Sequence, residues 1–224
     1  MLLAVDTSTK VIGLALMDGQ QIIAQSSWYT KNHHTVELSP AIVRMLAQSE
    51  VHVEDLTCLG VALGPGSFTG LRIGLAVVKG LSIALGIPVI GIPTLEIYAH
   101  AIPTQPERRM AAFLQAGRGK YAFQWYTGER KGWKADSEII VIASAEIPDV
   151  LQQPCLVCGE LITEDRDKIK SECKQAQLIS PALTYRYPTY LAEMAWQRWK
   201  KGDRSDVNNL GPIYLQVIGP EPVV

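Results

Sequence analysis

The sequence lacks the features that mark exported, membrane-spanning or strongly nucleic-acid-binding proteins. Its formal net charge is −1, with 21 Lys and Arg against 22 Asp and Glu, so the overall charge does not favour non-specific nucleic-acid binding. No basic segment precedes the apolar residues at the N-terminus, and we expect no secretory signal. The longest apolar run, 73–93, is interrupted by lysine, glycine and proline, which predicts a buried helix and a strand instead of a membrane span. We therefore expect a cytoplasmic protein.

Cysteine and histidine are scarce, with four of each in 224 residues. Cys155-Leu-Val-Cys158 is a CxxC pair, but the other two cysteines stand alone, whereas a zinc site needs further ligands. We interpret all four cysteines as core residues of a protein from a reducing compartment. His33 and His34 are adjacent, and adjacent residues of a helix point about 100° apart, so they cannot chelate one ion well. We expect no bound metal.

Charge is also scarce in one part of the chain. Residues 1–103 contain five basic residues (Lys and Arg) and seven acidic residues (Asp and Glu), whereas residues 104–224 contain 16 basic and 15 acidic residues. The change falls at Pro103-Thr-Gln-Pro106 and indicates two domains, 1–103 and 104–224. This assignment leaves open a return of the last residues to the first domain.

Both halves begin with strands joined by tight turns, which indicates a duplicated fold without a repeated sequence motif. The first half has the order β-β-β-α-β-α-β, which mixes antiparallel strands with parallel crossovers. Its strands are predicted at 2–6, 11–17, 21–29, 59–63 and 89–92. Its helices are predicted at 34–48, 71–85 and 95–102, and Ser39-Pro40 either starts the first of them or lies inside it. The second half has predicted strands at 110–115, 121–126, 138–142 and 155–158, a turn at Gly117-Arg118-Gly119 and an amphipathic helix at 188–200.

The most distinctive segment is Gly64-Pro-Gly-Ser-Phe-Thr-Gly-Leu-Arg-Ile-Gly74, which has four glycines between a predicted strand and a predicted helix. Glycine and proline permit a sharp turn, and Ser67 and Thr69 can cap the helix. The backbone N–H groups at such a turn can hold a phosphate. Alternatively, the glycines allow a neighbouring backbone to approach closely.

The helix predicted at 71–85 is apolar almost all round, and only Arg72, Lys79 and Ser82 interrupt it. A helix with this pattern is buried in most proteins. We therefore expect it to be covered, either by the other domain or by another chain.

Several motifs together resemble the TsaB (YeaZ) family. They are Met1-Leu-Leu-Ala-Val-Asp6-Thr-Ser-Thr9, His34 with Pro40, the segment Gly64–Gly74, Lys79-Gly80-Leu81, Gly86-Ile-Pro88 and Pro212-Ile-Tyr214-Leu215. The resemblance is strong over 1–96 and weaker beyond. It implies an α/β fold of the actin/sugar-kinase/Hsp70-like type, with two ribonuclease-H-like domains that each contain a mixed five-stranded sheet flanked by helices.

The resemblance also implies a function. TsaB serves in making N6-threonylcarbamoyladenosine at position 37 of tRNAs that read ANN codons, as a non-catalytic partner of the enzyme TsaD, and the ATPase TsaE joins the complex. We therefore expect an accessory subunit that binds TsaD, contacts tRNA indirectly and forms a homodimer when TsaD is absent. It would hold no cofactor alone, and ATP or ADP would bind only in the assembled complex. One alternative is an actin-like nucleotide-hydrolysing or phosphotransferring enzyme. A metallopeptidase is a second alternative, but the sequence lacks the His-x-x-x-His pair that it would need.

The resemblance assigns candidate residues to two sites and no catalytic residue. The predicted partner interface on helices 34–48 and 70–86 comprises His34, Leu38, Ile42, Arg72, Leu75, Val78, Lys79 and Ser82. The candidate nucleotide contacts are Asp6, Thr7, Ser8, Thr9, Gly64, Gly66 and Ser67. We favour a simpler interpretation of the first of these segments, in which Asp6 and Ser8 satisfy the backbone of their own turn.

One loop departs from the pattern of the family. Relatives commonly have Asp-Ala-Arg-Arg-Gly-Glu where this chain has Gln115-Ala-Gly-Arg-Gly-Lys120. The loss of two acids here argues against chemistry in the cleft between the domains.

A basic and aromatic cluster lies near the C-terminus, where Trp196 and Trp199 are close to Arg198, Lys200, Lys201 and Arg204. Aromatic and cationic side chains together can bind RNA by stacking. The spacing of three places both tryptophans on one helix face, which favours an anchor in the core.

Overall fold

A five-stranded mixed sheet forms from the first 93 residues of the chain. The computed structural model describes residues 1–19, 21–31, 33–117 and 119–215. The first sheet contains β1 (Leu2–Asp6), β2 (Val11–Asp18), β3 (Gln21–Tyr29), β4 (Cys58–Gly64) and β5 (Val89–Pro93), in the order β3-β2-β1-β4-β5. β1, β4 and β5 are parallel, whereas β2 and β3 are antiparallel, as predicted for a hairpin start followed by crossovers.

The second sheet repeats this topology. It contains β6 (Arg109–Gln115), β7 (Lys120–Glu129), β8 (Gly132–Ala135), β9 (Ile140–Ala143), β10 (Cys155–Gly159) and β11 (Ala176–Leu178). The order β8-β7-β6-β10-β11 matches β3-β2-β1-β4-β5 strand for strand, which confirms the predicted duplication. The sheet has six strands instead of the predicted five, because β8 and β9 each pair with a different part of the long strand β7.

Helices cover both faces of the first sheet. α1 (His34–Gln48) and α2 (Phe68–Leu85) pack on one face, whereas α3 (Thr94–His100), which follows β5, packs largely against the second sheet. Alternation along β1 places Leu3 and Val5 against α1 and α2, whereas Leu2 and Ala4 face the opposite side. α1 begins at His34 and contains Pro40, so the second of the two predicted starts is correct.

The helix that covers the opposite face comes from the far end of the sequence. α6 (Pro188–Lys200) was predicted within the second domain, but it packs on the first sheet. A Cβ atom placed on Gly60 would lie 2.8 Å from Cβ of Ala195, which shows how closely the helix approaches β4. Beyond α6, Ser205 pairs with Val89 on β5, and the amide of Ile213 donates to the carbonyl of Leu63 at 2.7 Å. Residues 188–215 therefore pack against the first domain, the kind of return that the sequence analysis left open for the last residues; residues 216–224 lie outside the described residues.

Four short elements of the second half were not predicted. They are the strand β8, α4 (Ile147–Val150), α5 (Thr163–Glu172) and the three-residue strand β11. The sequence of α5 is dominated by charged residues, and only Asp165 and Ile169 are buried in it. A single buried apolar residue produces no helical periodicity, which is why the pattern did not reveal this helix.

Within the described residues, α2 alone has the length and apolar composition of a membrane-spanning helix. A third of its residues are buried against the rest of the first domain. Core helices pass the same test of length and composition, so this property assigns no membrane role.

Candidate functional site

The glycine segment packs directly against the loop that follows β1, residues Asp6–Thr9, which we call the Asp6–Thr9 loop. A Cβ atom on Gly66 would lie 2.1 Å from the carbonyl oxygen of Ser8, and one on Gly70 would lie 2.2 Å from that of Thr7. Both distances are shorter than any side chain tolerates, so these positions accept only glycine without rearrangement. Of the two predicted roles, close approach of a neighbouring backbone is the one that the structure shows.

Hydrogen bonds complete this contact. The Thr7 hydroxyl donates to the Gly70 carbonyl at 2.8 Å, and the Ser67 amide donates to the Ser8 carbonyl at 2.6 Å. Ser67 also caps α2, because its Oγ accepts from the Gly70 amide at 3.2 Å, as predicted. The start of α2 is thus fastened to the loop after β1.

Asp6 is buried and has no free oxygen. One carboxylate oxygen accepts from the Ser8 amide at 2.9 Å and from its hydroxyl at 2.6 Å, which confirms the predicted role within the turn. The other oxygen forms a buried ion pair with Arg186. The carboxylate therefore already has a protein cation as its counter-charge.

Arg186 is a buried residue of the site that the sequence did not reveal. Its guanidinium donates to Tyr98 Oη at 2.6 Å, to Thr9 Oγ1 at 2.9 Å and to Glu160 Oε1 at 3.2 Å, besides Asp6. Burial by itself would lower the pKa of this guanidinium, but Asp6 and the other acidic neighbours raise it well above its usual value. Arg186 and Asp6 are 180 residues apart, and no spacing rule connects residues at such a separation.

A cleft of about 1070 Å³ lies between the two domains, with Arg186 in its lining. Four of the predicted nucleotide contacts line it, namely Ser8, Thr9, Gly66 and Ser67. Asp6, Thr7 and Gly64 are buried behind this lining, which corrects the prediction at those three positions.

The remaining lining of the cleft combines aliphatic residues with cationic and aromatic side chains. Lys10 and Lys120 lie exposed on opposite domains, and the rings of Tyr29, Phe68 and Tyr214 also line the cleft. The altered loop contributes Gln115, Ala116, Gly117 and Lys120, whereas its Arg118 lies outside the described residues. The chain thus places two lysines where a ligand with an anionic group and a flat ring could be held.

Most of the predicted interface side chains point inward. Six of the eight are buried in the first domain: His34, Leu38, Ile42, Leu75, Val78 and Ser82. Only Arg72 is exposed, and Lys79 is half-exposed. This corrects the prediction at six positions, because apolar spacing identifies the helices but not which apolar side faces the sheet.

The two adjacent histidines have different environments. His34 is buried, and its Nε2 lies 3.0 Å from the Thr9 carbonyl oxygen, which ties the start of α1 to the Asp6–Thr9 loop. His33 is exposed and lies 3.8 Å from Glu37. Among the residues that the structure describes, no three His, Cys, Asp or Glu side chains form a group able to hold a metal. All four cysteines are buried and unpaired, as expected for core residues.

The basic and aromatic cluster on α6 is anchored in the core. Trp196 and Trp199 are half-buried against the first sheet, with ring centroids 4.9 Å apart. Lys200 Nζ lies 4.8 Å from the Trp196 ring and 4.9 Å from the Trp199 ring. These contacts support the structural interpretation of the cluster over RNA stacking.

Comparisons with known proteins agree with this architecture. A family model described as TsaD, tRNA N6-adenosine threonylcarbamoyltransferase, matches residues 22–147. The chain is 28% identical to the Bacillus subtilis (strain 168) protein named tRNA threonylcarbamoyladenosine biosynthesis protein TsaB, over 98% of this chain and 96% of that protein. It is 26% identical to the Escherichia coli (strain K12) protein of the same name, over 96% of this chain and 94% of that one.

Solved structures show the same fold. YeaZ from Pseudomonas aeruginosa superposes with a TM-score of 0.75 at 24% identity, over 96% of this chain and 99% of that one. The ethanolamine utilization protein EutJ from Carboxydothermus hydrogenoformans superposes with a TM-score of 0.50 at 14% identity, over 85% and 89% of the two chains. The fold is thus the duplicated actin-like α/β fold that the sequence predicted. Since the family model covers more than half of the chain and the similarity to TsaB spans nearly all of it, the chain belongs to the TsaD family, among its TsaB (YeaZ) members.

Proposed function

We propose that this chain is an accessory subunit required for the N6-threonylcarbamoyladenosine modification at position 37 of ANN-decoding tRNAs. It acts by binding and supporting TsaD, and it contacts tRNA indirectly. The proposal is supported by family membership and by similarity, over nearly the whole chain, to proteins named for this biosynthesis. Such a subunit works in the cytoplasm, where tRNA is modified.

The observation that carries the proposal is an exposed apolar surface on the outer side of α1 and α2. Val36, Val43 and Ile83 are 70%, 65% and 74% exposed, although each is a large apolar residue. We call this surface the α1–α2 face; it comprises Val36, Pro40, Val43 and Ala47 on α1 and Ile73, Ala76, Gly80 and Ile83 on α2. Spacings of three and four along both helices are those of helices that pack against partner helices.

The composition of the α1–α2 face suits a protein partner. Ala76 and Gly80 carry almost no side chain, so that a partner helix can approach α2 closely. Arg44, Arg72 and Lys79 flank the apolar residues and would complement carboxylates on that partner. The partner we assign is TsaD; a second copy of this chain takes its place when TsaD is absent, and TsaE joins the complex.

The state of Asp6 supports a non-catalytic role. An actin-like enzyme needs this carboxylate free to hold a magnesium-bound water, but here it is buried and paired with Arg186. The size of the cleft and its two lysines favour one second candidate, a nucleotide-binding enzyme. We propose instead that ATP or ADP enters the cleft only in the assembled complex. Magnesium-dependent ATP turnover by the isolated chain, lost in Asp6→Ala, would favour the second candidate.

Reconstitution tests the accessory role. Purified chain, TsaD and TsaE are mixed with tRNA, a threonylcarbamoyl donor system and ATP, and the modified nucleoside is measured with each protein omitted in turn. We expect modification to fall to background when this chain is omitted. Undiminished modification without it would refute the proposal.

Charged substitutions on the α1–α2 face, measured by binding to purified TsaD, test where the interface lies. Val43→Asp and Ile83→Asp place a carboxylate on the α1–α2 face and should weaken TsaD binding at least about tenfold while the chain stays folded. Ile140→Asp is the matched control, because Ile140 is 48% exposed on the second domain, away from this face. Equal binding by all three variants would place the interface elsewhere.

A further inference from the structure

Arg186 connects the two domains at the base of the cleft. Asp6 and Thr9 belong to the first domain, and Glu160 follows β10 in the second, yet all three accept from one guanidinium. The guanidinium group is planar and presents its donors in a fixed arrangement, so these partners cannot shift independently. The side chains of Arg186 and Asp6 are each only 2% exposed, so the ion pair between them is shielded from solvent.

The Asp6–Thr9 loop in turn holds the first turns of both helices of the α1–α2 face. Thr7 and Ser8 bind the start of α2 through Gly70 and Ser67, and the Thr9 carbonyl oxygen lies within hydrogen-bond distance of the His34 ring. The absence of Cβ atoms on Gly66 and Gly70 leaves the loop and the helix in direct backbone contact. A displacement of this loop must therefore displace the starts of both helices.

We propose that Arg186 is a positioning residue for the partner surface: it anchors the Asp6–Thr9 loop, and this loop sets the placement of α1 and α2. A change of state in the cleft between the domains is thereby transmitted to the α1–α2 face. The link from Arg186 to the helices is a property of the isolated chain. Its consequence for TsaD binding rests on the proposed function.

Hydrogen exchange of the isolated chain tests the link without a partner. In Arg186→Gln, the amides in the first turns of α1 and α2 are expected to exchange at least about tenfold faster than in the wild type, because the loop loses its anchor. The last turns of both helices are expected to keep their wild-type rates. Unchanged exchange at both first turns, or an even increase across the whole domain, would overturn the proposal.

Arg198→Gln is the matched control. Arg198 also pairs with a carboxylate, that of Glu96, but this ion pair joins α6 to α3 and does not involve the Asp6–Thr9 loop. The first turns of α1 and α2 should therefore exchange at wild-type rates in Arg198→Gln. If Arg186→Gln does not fold, the double variant Asp6→Asn/Arg186→Gln replaces it, because it removes both charges of the ion pair and leaves no unpaired charge buried.

Thr7→Val separates the two routes from the loop. It preserves the shape of the side chain but removes the hydroxyl that donates to Gly70. Exchange should rise in the first turn of α2 and stay unchanged in α1, which the loop holds through Thr9 and His34. An equal response in both helices would overturn the assignment of separate contacts.

Binding to purified TsaD tests the consequence. Arg186→Gln is expected to bind about tenfold more weakly than the wild type, and Arg198→Gln to bind equally well. Equal binding of the wild type and Arg186→Gln would overturn the proposed effect on the partner surface. A wild-type chain that does not bind TsaD would instead refute the proposed function, and the exchange result would remain decisive for the positioning role.

Discussion

The two domains share one strand order but differ in the helices that cover it. In the first domain α1 and α2 are 15 and 18 residues long and largely apolar, whereas in the second α4 and α5 have four and ten residues, and α5 is highly charged. A related contrast appears between the two parts of the sequence, with 12 charged Asp, Glu, Lys and Arg residues in 1–103 and 31 in 104–224. Strand order is thus compatible with either helix layer, and the helix layer determines which domain has an apolar surface left for a partner.

The ends of the corresponding first strands also differ. β1 ends at Asp6, which is buried and paired with Arg186, whereas β6 ends at Gln115, which is exposed in the cleft. β1 and β6 hold the same place in the two sheets. The end of β1 therefore contributes a neutralised acid behind the cleft lining, and the end of β6 contributes an uncharged amide within it, so neither strand end adds an unpaired negative charge to the cleft.

The largest effect is expected from placing a charge on the inner side of α2. Val78 is fully buried, and Val78→Glu should lower the free energy of unfolding by at least about 4 kcal/mol, because an unpaired carboxylate would lie in the core. Ile83→Glu on the outer side of the same helix should change it by at most about 0.5 kcal/mol. Chemical denaturation followed by circular dichroism measures both. Similar stability of the two variants would show that α2 does not have one inner and one outer side.

A smaller effect is expected from adding one methyl group at the contact between the backbone of α2 and that of the Asp6–Thr9 loop. Gly70→Ala should destabilise the chain by about 2–3 kcal/mol, because the new Cβ would lie 2.2 Å from the Thr7 carbonyl oxygen. Gly80→Ala on the exposed side of the same helix meets nothing within 4 Å and should stabilise it by up to about 1 kcal/mol. Thermal unfolding of the two variants provides the measurement, and a stabilising Gly70→Ala would contradict the close contact.

The smallest effect is expected to be a difference between the two domains in how their stability depends on pH. In the second domain, burial raises the pKa of Cys158 to about 12 and that of Cys155 to about 11, and it also raises the pKa values of Cys173, Tyr121 and Tyr126. In the first domain, burial raises the pKa of Cys58 to about 12 and also raises that of Tyr98. The folded chain keeps these protons at a pH where the unfolded chain releases them. Each of these groups therefore contributes its full share to the free energy of unfolding below its pKa in the unfolded chain. As the pH rises above that value, the contribution falls by about 1.4 kcal/mol per pH unit for each group.

Urea unfolding at pH values from about 8 to about 10.5, with hydrogen exchange to resolve the domains, measures this loss. The second domain should lose more stability than the first. Cys158→Ala should reduce the pH dependence of the second domain and leave that of the first unchanged. A steeper loss in the first domain would contradict the assignment.

Local patterns in the sequence were sufficient for much of the fold. Short apolar runs bounded by turn residues predicted the strands of the first sheet, and the bounds of α1 and α6 agree with the structure. The charge-rich helix α5 was missed because it buries a single apolar residue, Ile169. The sequence also identified the Asp6–Thr9 loop and the glycine segment, but it left open whether they hold a phosphate or each other.

The sequence by itself determined the duplicated sheets, the two long apolar helices and the family of the chain, because these depend on short-range periodicity and on contiguous motifs. Only the tertiary structure decided that α6 covers the first sheet, that six predicted interface residues face inward and that Arg186 neutralises Asp6. The physical reason is the same in each case. An apolar side chain or a charge can be buried against any compatible surface, and the choice among distant partners is made by packing and desolvation of the whole chain.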